Sequence, residues 1–174
     1  MKIMYRLLTL IAATTMWSGQ SVVLMPRSDV AQAAVWTSVT SDHTYHLTMT
    51  LPKASGKQFA KLSFSFSQPN QAIAVVPLDL SQTKAFIGKP GAIDQVIPIQ
   101  EAWMDETGTF WVELNQALEP NTTVTVSFKG SQPASGISYQ YGVAAYSTAA
   151  NSMPIFVGNG VLHLSPTSAQ RQSW

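Results

Sequence analysis

From Tyr45 to Leu164 the hydrophobic positions recur mostly at every second residue, the period of a strand with one buried face. Tyr45, Leu47, Met49 and Leu51 alternate with His46, Thr48 and Thr50, and Pro52 ends the run before a turn through Lys53–Gly56. Leu62, Phe64 and Phe66 alternate with Ser63 and Ser65, and Gln68–Gln71 breaks the pattern. AIAVV is a short apolar run ended by Pro77, and TKAFIG follows before Lys89-Pro90-Gly91. IDQVIPI carries Pro98 inside it, which makes it an edge strand or an irregular one, because proline has no N–H for the ladder. EAWM loses the alternation and reads as a helical turn or a loop.

The pattern returns in GTFWVELNQALEPNTTVTVSFKG. Phe110, Val112 and Leu114 share one face and Thr109, Trp111 and Glu113 the other; Val124, Val126 and Phe128 then oppose Thr123, Thr125 and Ser127. Pro120-Asn121 suits the centre of a type I turn. The connection is longer than a tight hairpin, so the two strands either pair or lie in opposite sheets. ISYQYGVAAY, PIFVG and VLHLS complete about eight strands. Turn signals every 8–12 residues or so predict an all-β fold, an antiparallel β-sandwich of immunoglobulin-like type.

The first 33 residues differ from this pattern. Lys2 and Arg6 precede an uncharged stretch from Leu7 to Pro26, and Ala31-Gln32-Ala33 supplies small residues in an A-x-A arrangement. These are the parts of a secretory signal peptide. The expected cleavage follows Ala33, with Ala34 as the neighbouring choice. Ser18–Ser21 interrupts the apolar stretch and makes it a poor membrane span, although its length alone approaches the roughly 20 residues a span requires. The domain expectation is therefore a signal peptide at 1–33, a sandwich at 34–166 and a loose polar tail at 167–174, with no stable span after cleavage. The mature chain is expected in the periplasm, on the outer cell surface or outside the cell.

Composition narrows the function classes. Of 174 residues, 45% are hydrophobic, enough for a packed core, and only 11% are charged, below the roughly 25% usual for soluble proteins. Hydroxyl and amide side chains supply the polar surface instead. The net charge of +1 offers no basic patch for nucleic acid. Lys53, Lys57 and Lys61 read as a solvated face. The absence of cysteine removes disulfides, thiolate ligands and a thiol nucleophile.

Candidate chemistry is sparse. His43 and His46 are an odd number of residues apart, which puts them on opposite faces of a strand, and His163 stands between Leu162 and Leu164. No histidine is expected within hydrogen-bond reach of Asp94, Asp105, Glu106 or a serine. Neither an HExxH motif nor a G-x-S-x-G elbow is present. Asp105-Glu106 precedes Gly108 in a turn, and with Asp94 would make at best a weak calcium site without the usual loop. Gly158-Asn159-Gly160 precedes a strand, which suits a bulge or turn rather than a dinucleotide site. Asn121-Thr122-Thr123 matches a glycosylation sequon that the turn itself explains. Tyr139 and Tyr141 share a face with Val143 and belong to the core, with hydroxyls at its rim. Trp111 is the one side chain singled out for binding: it stands on the polar face of its strand, where an indole can anchor a sugar or a partner.

Four stretches, YHLTMTLPKASGKQFAKLSFSF, TKAFIG, GTFWVELNQALEPNTTVTVSFKG and GISYQYGVAAY with IFVGNGVLHL, in this order resemble a cyanobacterial family of secreted proteins, domain-of-unknown-function 2808. The resemblance spans roughly Tyr45 to Leu164. Tyr146-Ser147-Thr148 and Gly158-Asn159-Gly160 stand where that family has Phe-Pro-x-Gly and Gly-Phe-Gly. The resemblance implies export and an all-β domain, and it carries no catalytic, cofactor-binding or metal residues. The reading is a non-catalytic, envelope-associated binding or structural module with a polysaccharide or protein partner and no cofactor. A hydrolase acting on an envelope polymer and a subunit of a larger β assembly are the alternatives.

Overall fold

The computed structural model describes residues 35–54, 56–69, 74–130, 136–149 and 152–164; the segment read as a signal peptide, Ala33, Ala34 and the segment read as a polar tail lie outside these residues. Among the described residues ten strands form: β1 (Val35–Val39), β2 (Thr44–Thr50), β3 (Phe59–Ser67), β4 (Leu78–Lys89), β5 (Ala92–Ile97), β6 (Ile99–Met104), β7 (Thr109–Leu118), β8 (Thr123–Gly130), β9 (Ile137–Ser147) and β10 (Ile155–Leu164). They make two five-stranded antiparallel sheets, ordered β1-β2-β8-β4-β5 and β10-β9-β3-β7-β6. The fold is thus the immunoglobulin-like antiparallel sandwich that the alternation predicts, with ten strands in place of about eight. Among the described residues no helix is long and apolar enough to cross a membrane.

The inward residues are those of the period-two pattern. Leu47, Met49, Phe64, Phe110, Val112, Val124, Val126 and Phe128 are fully buried. Strands β7 and β8 lie in opposite sheets, so the two faces of the GTFW…SFKG stretch meet across the core. Phe110 packs edge-on against Phe128 at 5.6 Å between sheets, and stacks on Phe64 at 5.4 Å within its own. Each such side chain contributes roughly 1.5–3 kcal/mol by leaving water. Tyr139, Tyr141 and Val143 are buried as expected, and the Tyr141 hydroxyl hydrogen-bonds the Thr37 hydroxyl of β1 at 2.8 Å.

Several local expectations are corrected. The apolar run before Pro77 packs without forming a strand: Ala74 and Val76 are buried from an irregular segment whose Ala74 N–H donates to the Phe66 carbonyl. The IDQVIPI run is not one strand. At Pro98 it divides into β5, on the edge of the first sheet, and β6, on the edge of the second. EAWM is neither helical turn nor loop but most of β6. PIFVG and VLHLS are one strand, β10, with a bulge between Phe156 and Gly158. Asn121 has φ 62°, outside the type I geometry expected at that position and suited to the third position of a type II turn. Gly88, at φ 104°, lies where a β-carbon would come within 2.3 Å of the Ala92 carbonyl, so the tight β4–β5 connection requires glycine there.

Candidate functional site

The outer face of the second sheet, which the core does not use, carries an aromatic cluster. Register places it row by row. Trp103 of β6 pairs with Trp111 of β7, Trp111 with Ser63 of β3, Ser63 with Ala144 of β9, and Ala144 with Phe156 of β10. These are successive side chains of one row across all five strands of the sheet. The adjacent row holds Glu101, Glu113, Lys61 and Tyr146.

Trp103 and Trp111 stack nearly parallel, with centroids 6.0 Å apart and planes 11° from each other. Tyr146 reaches diagonally to Trp111, centroid to centroid 5.2 Å, over the buried Ser63. Lys61 places its Nζ 5.2 Å from the Trp103 ring centre and 5.4 Å from that of Trp111, within cation–π range of both. Its ammonium also lies 3.9 Å from Glu113, a surface pair of small energetic weight. Lys61 is therefore part of the cluster and not merely a solvated lysine.

Asp105 fixes the orientation of Trp111. It sits in the β6–β7 turn and accepts four hydrogen bonds: from Trp111 Nε1 at 2.7 Å, from the Thr107 N–H and hydroxyl at 2.9 and 2.7 Å, and from the Thr109 N–H at 3.0 Å. The Thr107 hydroxyl and then the Trp111 indole, with the two backbone N–H groups, hold its carboxyl down at about 2. Asp105 is committed to this turn, and Asp94 lies on β5 of the other sheet. Among the described residues no group of three or more His, Asp and Glu side chains is placed to hold a metal.

Trp111, singled out from sequence, is thus on the outer face, half-buried by its neighbours and not free-standing. Trp103 and Tyr146 were missed. Trp103 sits in the segment read as helical or loop, and no local pattern ties Tyr146 to β7. The only signal was the presence of further aromatics.

The histidines are spread over the fold. His43 lies in the β1–β2 turn with φ 59°, and His46 on the outer face of β2, edge-on to Phe86. The Nδ1 of His46 is buried without a hydrogen-bond partner among the described residues, and burial pushes its pKa below the ordinary value, opposed by Asp42. His163 contradicts the expectation that no histidine meets a serine: its Nδ1 lies 2.7 Å from the Ser138 hydroxyl. The two are directly opposed across β9 and β10, which brings their side chains into contact on the exposed face.

Two shallow hollows flank the aromatic row on this face. One, about 390 Å³, adjoins Lys61, Glu113, Tyr146 and the Ser147–Ala149 segment. The other, about 290 Å³, lies over β3, β9 and β10 between Ser67, Gln140, Gly142, Asn159 and Val161.

Among solved structures, the chain is similar to BslA, a bacterial hydrophobin, at 10% identity and a TM-score of 0.48, covering 80% of this chain and 98% of that one. It is also similar to the collagen-binding subdomain of the Enterococcus faecalis surface protein ACE (7% identity, TM-score 0.37, 77% and 96% covered). The collagen adhesin of S. aureus is a further neighbour (9% identity, TM-score 0.39, 78% and 50% covered). These likenesses carry no role over to this chain. No curated protein matches the sequence at a significant level. The profile of one family, described as protein of unknown function (DUF2808), matches residues 28–164, and the chain belongs to that family.

Proposed function

We propose that the protein is an exported, non-catalytic β-sandwich of the cell envelope that holds a polysaccharide or protein partner on the outer face of its second sheet. The observation that carries this reading is the Trp103–Trp111–Tyr146 cluster with Lys61 across it, on the side of the sheet that the core leaves unused. Half-buried aromatic rings packed on one another, with Trp111 oriented by the Asp105 carboxylate, supply apolar contact area at low entropic cost, which is how binding surfaces concentrate their energy. Export is supported by the basic start, apolar stretch and A-x-A segment before residue 34. The reading includes a cyanobacterial host, on the sequence resemblance alone.

Fractionation of a native host, followed by capture from its envelope fraction, tests the reading. The mature protein is expected in an exported compartment and is expected to retain envelope material. Trp111→Ala is expected to weaken retention by 2 kcal/mol or more, about 30-fold, with an unchanged far-UV spectrum. Unchanged retention by the variant overturns the assignment of the surface, and a cytoplasmic protein overturns the export.

One observation favours a second reading, a hydrolase: the exposed Ser138–His163 contact. A serine-directed phosphonate probe distinguishes the two. Labelling at Ser138 that disappears in His163→Ala establishes nucleophilic chemistry and displaces the non-catalytic reading; an unlabelled serine removes the only support for the hydrolase.

A further inference from the structure

The hollow at Gln140, Gly142 and Asn159 has a chemistry distinct from that of the aromatic cluster. Register puts Ser67 opposite Gln140, Gln140 opposite Val161, and Gly142 opposite Asn159, all on the same outer face as Trp111. Gly142 creates the opening. A β-carbon there would lie 3.3 Å from Asn159 Oδ1 and 3.8 Å from Phe156 Cε2, so the amide and the ring lean over a position with no side chain. Phe156 is 52% exposed beside it. Gln140 and Asn159 are exposed at the hollow and Ser67 is half-buried there. Among the described residues no ionisable acid or base lines the hollow apart from the Tyr141 phenol, whose pKa burial raises and which is bound to Thr37.

We propose that this face binds an uncharged glycan chain, with one sugar residue in the Gln140–Asn159 hollow and the chain continuing along β3 and β9 to the Trp111–Tyr146 rings. The proposal rests on the binding reading above and specifies its ligand class. Each amide both donates and accepts, as does each sugar hydroxyl, so the two sets are complementary without any charge. An anionic ligand would call for arginine, lysine or a helix N-terminus, and the hollow has none of them. The exposed Phe156 ring offers an apolar face to the C–H side of a pyranose. The volume of about 290 Å³ is at the small end of the roughly 300–1,000 Å³ of ligand sites, suited to a single ring. From Gln140 to Ala144, in the same row as Trp111, is four residues of strand, about 13 Å, and Trp111 lies two strands across from Ala144, about 10 Å further to the side. Gly142 and Ala144 keep the relief low over that span, and a short linear oligosaccharide bridges it.

The test titrates the full exported chain with soluble neutral oligosaccharides (β-1,4- and α-1,4-glucans and xylans) and with oligogalacturonate, read by amide NMR shifts and calorimetry. Neutral chains are expected to bind saturably, with little salt dependence, and to shift residues 140–144 and 156–161. Gln140→Ala is expected to weaken binding about tenfold. Gly142→Val, which fills the hollow, should abolish the shifts around residue 159. If Gly142→Val does not fold, Asn159→Ala takes its place beside Gln140→Ala. Equal or tighter binding of oligogalacturonate, or unchanged affinity in the variants, overturns the proposal. Absence of any sugar binding while the chain still retains an envelope protein through Trp111 overturns the glycan assignment and leaves the binding reading standing. Loss of both overturns both.

Discussion

Replacing Gly160 with alanine isolates how tightly the second sheet closes over Tyr141. A β-carbon at residue 160 would lie 2.4 Å from both Cζ and Oη of Tyr141 and 2.8 Å from Cε1. That ring is 1% exposed, so it has nowhere to retreat, and its hydroxyl is tied to Thr37 at 2.8 Å. Overpacking a core costs typically about 1–3 kcal/mol. Displacing the phenol also loses a hydrogen bond worth about 1 kcal/mol. Against these, alanine in place of glycine stabilises by about 0.4–1 kcal/mol through the unfolded chain. The balance is a loss of about 2 kcal/mol. With a urea m-value of about 2 kcal/mol per molar, the unfolding midpoint should fall by about 1 M at constant slope. Tyr141→Phe removes the bond to Thr37 alone and should cost about 1 kcal/mol. In that background Gly160→Ala should cost correspondingly less, because the shared bond is already gone. A Gly160→Ala midpoint equal to or above that of the parent would show that only the chain-entropy term operates, and would refute the close approach. Strict additivity of the two substitutions would refute the hydrogen-bond share.

Thr125→Val should destabilise by about 1–3 kcal/mol in the same assay: the buried Thr125 hydroxyl donates to the Gly88 carbonyl at 2.8 Å and meets Thr48 at 2.9 Å, and valine strands both partners. A double Thr48→Val/Thr125→Val variant that costs as much as the sum of the singles would contradict a shared hydroxyl network. Acid titration has two expected stages. The folded pKa of His46 lies below 6.5, so the unfolded chain takes up that proton first and stability falls as pH drops below about 6.5. Asp105, held at about 2 against an ordinary 3.8, contributes stability that is complete above 3.8 and lost as pH falls through about 2. Asp42, lowered further still by the Thr40 and Thr44 hydroxyls, acts in the same direction, so Asp105→Asn should reduce that lower limb without abolishing it and leave the His46 stage in place; an unchanged lower limb would remove Asp105 from the account. The same variant should also alter Trp111 fluorescence, since its indole loses a charged acceptor at 2.7 Å, and an identical spectrum would argue against that contact.

The lysine, serine and histidine positions show where local reading stops. Lys61 alternates with Leu62 as any solvated residue would, yet the registers of β3 with β7 and β9 set it between Glu113 and Tyr146, within reach of both indoles. Ser138 and His163 are 25 residues apart and meet only because β9 and β10 pair in that register. Trp103 was hidden for a different reason. Ala102 and Met104 face Val112 and Phe110, and Trp103 between them faces outward, so an apolar residue on the outer face erases the alternation that marks a strand.

What the sequence alone determined is the all-β character and the inward face: Tyr45, Leu47, Met49, Phe64, Phe110, Val124 and Phe128 follow a period of two because a sheet buries every second side chain whichever strand lies beside it. Burial parity is a local property and survives ignorance of topology. Tertiary structure decided which strands adjoin, that Pro98 moves the chain from the edge of one sheet to the edge of the other, and that β7 and β8 face each other across the core. It alone assembled Trp103, Trp111, Tyr146 and Lys61 from four strands, and opened a hollow at Gly142 beneath Asn159 and Phe156. Both depend on cross-strand register, which long-range pairing sets and no local window of residues contains.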